Sequence, residues 1–150
     1  MTYLRKTLTA AMIIATSALT SAISVNAAEP TATMTLSVTN IDPDQGQIMV
    51  ALFDSQAAYQ SETPTRDSVV KVDSPSVTID FHDLPLGDYA FKLFHDDNGN
   101  GELDTDFMGI PSESYYFSND ASDPFSAPEW AEAKFILRSG KTRHVVDLSD

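Results

Sequence analysis

Asp83-Leu84-Pro85-Leu86-Gly87-Asp88, running straight into Tyr89-Ala90-Phe91-Lys92-Leu93-Phe94, is the stretch that decides the fold. The first six residues put Pro, Gly and two Asp into a compact segment, which is turn chemistry. The next six alternate with period two, and their aromatic and aliphatic side chains suit a pleated, half-buried surface. A strand therefore leaves the turn at Tyr89 and ends at an acidic segment that begins with Asp96.

Working outward towards the N-terminus, Gln47–Phe53 is almost continuously apolar and reads as a central strand covered on both faces. Thr33–Thr39 alternates polar and apolar, and Asn40–Gly46 contains Pro43, Asp44 and Gly46. These two strands are expected to form a β-hairpin. Asp54–Gln60 has helix-forming residues behind Asp54 or Ser55 as N-cap, and Ser61–Asp67 is a loop. Val69–Val72 and Ser76–Phe81 are short strands separated by Asp73-Ser74-Pro75. Towards the C-terminus, Met108–Pro128 has no sustained period, and irregular stretches of that length are functional or disordered. Its aromatic residues argue for packing. Glu129–Ala133 reads as one helical turn. Phe135–Leu137 and His144–Leu148 read as a closing hairpin around Ser139-Gly140-Lys141. About seven strands at this spacing define an all-β chain folded as an antiparallel β-sandwich.

The ends of the chain set its compartment. Arg5 and Lys6 precede an uncharged apolar and small-residue stretch from Leu8 to Val25, and Val25-Asn26-Ala27 offers small residues to a signal peptidase. A transmembrane anchor is the rival reading, but the abundance of Thr, Ser and Ala and the presence of Asn26 favour cleavage. Residues 1–27 are thus expected to be a signal peptide, 28–32 a leader and 33–150 a single domain, periplasmic or secreted. Cleavage removes two basic residues and takes the net charge from −13 to −15. Such a surface repels nucleic acid and anionic lipid and attracts cations. With no second long apolar segment, no membrane insertion is expected after cleavage. The chain contains no cysteine, which excludes disulfides, thiol catalysis and zinc-thiolate sites.

Asp96-Asp97-Asn98-Gly99-Asn100-Gly101-Glu102-Leu103-Asp104 carries the most specific chemistry. Asp96, Asn98, Asn100 and Asp104 stand at the first, third, fifth and ninth positions of an EF-hand-type loop. Gly101 is sixth, where the chain must turn, and Glu102 is seventh, where a backbone carbonyl ligates. Calcium needs six to eight oxygens, and a loop winding around an ion offers them in this order. These five residues are the expected metal site, with Leu103 directed into the core. The twelfth position is Phe107 where a bidentate Glu belongs, so Asp106, Glu113, Asp97 or water would complete a weak site. The competing reading is a strand end where Asn and Gly supply positive φ and Asp makes local Asx-turns.

Other constellations are less specific. His82, His95 and His144 lack metal-type spacing, Asp54 and Asp83 could pair with other carboxylates as acid/base couples but such pairs arise by chance in so acidic a chain, and Ser118 lacks a nucleophile elbow. No catalytic residue is assigned. Tyr115, Tyr116, Phe117 and Trp130 suggest either packing or a ligand platform.

Asp83–Ala90, Phe94-His95-Asp96, Asn98–Gly101, Leu103-Asp104, Gly109-Ile110-Pro111, Glu113, Phe117-Ser118-Asn119 and the Pro128 to Phe135 segment together resemble domain-of-unknown-function family 2141. The resemblance spans about Leu36 to Leu148 and implies a secreted or periplasmic bacterial protein with no established activity. Tyr116 stands where that pattern has Gly, so the backbone there is expected to differ. The Leu-Pro-x-Gly-x-Tyr element is also similar to that of transthyretin-like and collagen-adhesin B-type sandwiches, which implies a prealbumin-like fold with Tyr89 packed at the start of a core strand. The expected function is a non-enzymatic, monomeric envelope module with a calcium-ordered loop and an envelope protein or glycan as partner. The alternatives are a carbohydrate- or peptide-binding module using the aromatic segment 115–130, and a hydrolase.

Overall fold

A computed structural model describes residues 29–43, 45–123 and 126–149. The expected signal peptide and Phe125 lie outside the described residues. The chain forms strands β1 (Thr31–Thr39), β2 (Gln47–Phe53), β3 (Arg66–Lys71), β4 (Ser76–Pro85), β5 (Gly87–Asp96), β6 (Tyr115–Phe117), β7 (Phe135–Leu137) and β8 (Gly140–Asp147). Helical turns α1 (Gln56–Gln60) and α2 (Trp130–Ala133) complete it. One sheet has the order β4-β1-β8; the other runs β3-β2-β5-β6, with β7 also on β5. This is the expected all-β sandwich, with eight strands.

Alternation along the strands fills the space between the sheets. Met34, Leu36 and Val38 from β1 and Val77, Ile79 and Phe81 from β4 meet Ile48, Val50 and Leu52 from β2 and Tyr89, Phe91 and Leu93 from β5. The β1–β4 register shifts between Ala32 and Met34. Opposite this shift Asp83 takes φ 55°, a bulge that returns Leu84 to the core. The turn expected at Asp83–Asp88 is therefore mostly strand. Tyr89 is buried, and its hydroxyl donates to the Pro85 carbonyl at 2.9 Å.

Three expectations about pairing are corrected. β1 and β2 are not a hairpin: β1 pairs with β4 and β8, and β2 with β3 and β5. The chain instead passes from one sheet to the other between Thr39 and Gln47, and Ile41 is buried in the core. β7 and β8 are likewise split, with β7 antiparallel to β5 and β8 parallel to β1. That parallel pair also departs from a purely antiparallel sandwich. Each error has one cause: period-two patterning marks which face is buried and says nothing about which sheet supplies the neighbour.

The outer face of the β2–β5 sheet carries a second small core. Phe53, Tyr59, Ala90, Trp130 and Ala133 cluster beneath the two helical turns. Ser55 caps α1, and Glu129 with Glu132 forms a capping box on α2. Ser118 joins this cluster to the sheet. It is fully buried; its hydroxyl accepts from Phe91 N at 2.9 Å and donates to Ala133 O at 2.6 Å. It therefore fills the gap on the β5 edge between β6, opposite Lys92–Phe94, and β7, opposite Gly87–Tyr89. Asn119 follows in the left-handed region, φ 63°, and donates to Lys134 O at 2.6 Å.

Candidate functional site

The β5 strand delivers Asp96 to the end of the sheet, where it is fully buried. All its acceptor capacity is in use. Oδ1 accepts from Gly99 N at 2.7 Å and Asn100 N at 3.1 Å. Oδ2 accepts from Gly101 N at 2.8 Å and from Gln47 Nε2 at 2.8 Å. Burial by itself pushes this carboxyl up, but the donors from Gln47, Gly101, Gly99 and Asn100 outweigh it and hold the group below its ordinary value. The loop is thus wound around an internal anion. Gly99 and Gly101 supply positive φ for the winding. Behind it, Gly46 packs so closely that a Cβ there would lie 1.9 Å from the Asp96 carbonyl oxygen.

The remaining loop side chains converge further out. Asn98 Nδ2 donates to Asp104 Oδ2 at 2.5 Å, and Asn100 Nδ2 donates to Asp104 Oδ1 at 3.1 Å. Asn98 Oδ1 accepts from Asn100 N, and Asn100 Oδ1 from Glu102 N. Asn98, Asn100 and Asp104 therefore form one contiguous polar group on the exposed side of the loop, with the Asp96 carboxylate beneath. Glu102 is exposed. Leu103 is 37 % exposed, which corrects the expectation that it points into the core; its tethering task falls to Glu113. That buried residue accepts from Asp97 N at 3.0 Å and from Asp104 N at 2.9 Å, clamping both ends of the loop.

The residues expected to complete a coordination shell are engaged elsewhere. Asp97 Oδ1 lies 3.0 Å from His95 Nδ1, and Asp106 builds a separate turn. Among the described residues no three His, Asp or Glu side chains come together as metal ligands. The loop's oxygens come instead from two amides and the Asp104 carboxylate. Sequence reading missed Gln47, whose only signal is an amide at the head of an apolar strand, and it gave Glu113 no structural role.

The other candidates separate. His82 approaches Thr33, His95 lies at the loop base against Gln45 O, and His144 packs between Phe91 and Phe135. Ser118 is structural. The aromatic platform is split. Tyr116 turns inward, stacks on Phe91 and bonds Asp120. Trp130 is buried against Tyr59. Tyr115 and Phe117 alone remain together on the outer face, 5.8 Å apart. They border a groove of about 610 Å³ whose floor includes Met49, Phe94 and Val69.

A β-sandwich domain with a polar loop wound on a buried carboxylate is the class that fold and site define. A family model described as an uncharacterized protein conserved in bacteria (DUF2141) matches residues 36–145, and the chain belongs to that family. No curated protein and no solved structure matches the chain, so the likeness to transthyretin-like sandwiches rests on the Leu84–Tyr89 element alone.

Proposed function

We propose that this chain is an exported, non-enzymatic module of the cell envelope whose Asp96–Asp104 loop holds a calcium ion. The observation that carries this reading is the convergence of the Asn98 and Asn100 side chains on the Asp104 carboxylate. The Asp104 carboxylate accepts from both amide Nδ2 groups, and the amide oxygens accept from Asn100 N and Glu102 N. A cation would replace the two Nδ2–carboxylate bonds, leaving amide oxygens, one carboxylate and a backbone carbonyl as a hard, oxygen-only donor set, which suits calcium better than a transition metal. Asn98, Asn100, Asp104 and the Glu102 carbonyl would ligate directly. Asp96, saturated by N–H donors, contributes charge and shape. Few charged ligands imply weak binding, of the order of 10⁻⁴–10⁻³ M as in extracellular modules. The ion would order the segment from Asp104 to Ser114, which Glu113 already ties to the loop, for contact with an envelope protein or glycan.

Thermal melts test this. At about 10 mM calcium a site of that affinity adds roughly 1.4–2.7 kcal/mol, a rise of about 5 °C or more over EDTA. Equal melting temperatures in calcium, magnesium and EDTA would remove the ion. A second reading, a glycan- or peptide-binding module, is supported by the groove beside Tyr115 and Phe117. Trp130 takes no part in it.

A further inference from the structure

Beyond the wound loop the chain makes a second, tighter turn. Thr105 and Pro111 pair in an antiparallel bridge. Asp106 Oδ1 accepts from Met108 N at 2.8 Å and from Ile110 N at 3.0 Å. Asp106 O accepts from Gly109 N at 3.0 Å, and Ile110 O accepts from Asp106 N at 2.8 Å. This well-bonded turn presents Phe107, 96 % exposed, Met108, 69 % exposed, and Ile110, 55 % exposed. Single exposed apolar residues are ordinary, whereas three large ones at one apex call for an explanation. The sandwich core has no use for them.

We infer that the Phe107–Ile110 tip is a wedge that inserts into the interface of a zwitterionic lipid bilayer. Three observations choose lipid over protein. First, four of the five N–H groups from Asp106 to Ile110, those of Asp106, Met108, Gly109 and Ile110, are bonded within the turn, which lowers the cost of entering an apolar medium. Second, the apex is three side chains and a glycine, far less surface than the ~800 Å² per partner of a stable protein interface. Third, a second copy is disfavoured by the repulsion of two chains of net charge −13.

Charge also selects the lipid. Asp97, Glu102, Asp104 and Asp106 lie in the segment that leads to the tip, so anionic headgroups are repelled and zwitterionic ones are not. The chain's acidity repels anionic lipid and no second long apolar segment follows the first; a peripheral wedge in zwitterionic lipid is compatible with both. Binding is weak and reversible, since even a single myristoyl chain gives only about 10⁴ M⁻¹; half-saturation is expected at roughly millimolar lipid. The wedge does not require calcium in the loop.

The test uses the cysteine-free background. Met108→Cys carries an environment-sensitive dye and is titrated with phosphatidylcholine vesicles in EDTA; Asp73→Cys, in the β3–β4 loop, is the control. The dye reports only its own position, so lipid contact by the apolar N-terminal stretch does not register. The expected result is a saturable blue shift at position 108, none at 73, and about tenfold or greater weakening when Phe107→Ser and Ile110→Ser are added. Vesicles containing phosphatidylglycerol should bind less. No shift, an equal shift in the serine variant, or stronger binding to anionic vesicles overturns the proposal. So does a lipid-free shift that grows with protein concentration, which would assign the tip to a second copy.

Discussion

Replacing Asp96 by Asn changes one atom and should unwind the loop. The carboxylate accepts four bonds, two at each oxygen. An amide keeps one acceptor oxygen and turns its NH2 towards two donors, either Gly99 N and Asn100 N or Gly101 N and Gln47 Nε2. Each hydrogen bond to a charged group contributes about 1.5–3 kcal/mol. Two are lost, and water reaches the loop amides, so the lower end applies: about 3 kcal/mol. That corresponds to roughly 10 °C in melting temperature for a domain of this size. Urea unfolding at neutral pH, with Asp73→Asn as an exposed control, measures it. The pH dependence gives a second check with a fixed sign. Asp96 is held below its ordinary value in the fold, so its contribution is complete above the unfolded carboxyl pKa. It fades as pH falls through the folded value, and the gap between wild type and variant should close in acid. A loss below about 1 kcal/mol, or a gap that widens in acid, would refute the assignment of Asp96 as the anion that organises the loop.

Two further substitutions probe the frame around that loop. Ser118→Ala leaves the buried Phe91 N–H without its acceptor and Ala133 O without its donor. It should cost about 2–4 kcal/mol and loosen the β6 and β7 edge, read by urea denaturation and by amide exchange at Phe91. His144 packs against Phe135 and Phe91, its Nε2 has no hydrogen-bond partner, and burial pulls its pKa down. A lowered folded pKa means the unfolded chain gains the proton first as pH drops below about 6.5. Stability therefore declines from there into mild acid, and His144→Leu should remove that decline, read by comparing the melting temperatures of the two proteins between roughly pH 8 and 5.

The sandwich was legible because burial patterns the strands: Thr33–Thr39 and Tyr89–Phe94 by their period of two and Gln47–Phe53 by its continuous apolar run each read as strands and are strands. Their neighbours were not legible, since Ile41 crossing between the sheets looks in sequence like any residue of a Pro- and Gly-containing turn. Length misled as well: β4 runs on to Pro85 because Asp83 bulges, and no periodic signal predicts a strand that changes phase. The loop was half legible. Its Asp, Asn and Gly spacing announced a winding chain, but a carboxylate that ligates an ion and one that binds its own backbone have the same spacing. Gln47 and Glu113, which decide how Asp96 and the loop ends are held, come from distant segments, and local spacing could not reveal them. Phe107 read only as a missing ligand; its exposure beside Met108 and Ile110 is a property of the folded turn.

A calcium titration followed through backbone amide shifts decides whether the Asp96–Asp104 loop holds an ion. Saturable shifts are expected at Gly99, Asn100, Gly101 and Asp104 with a midpoint of about 10⁻⁴–10⁻³ M, spreading through Glu113 and leaving β1 and β8 unmoved. Shifts that never saturate and follow the acidic surface as a whole, or no shifts at all, would contradict ion binding in the loop.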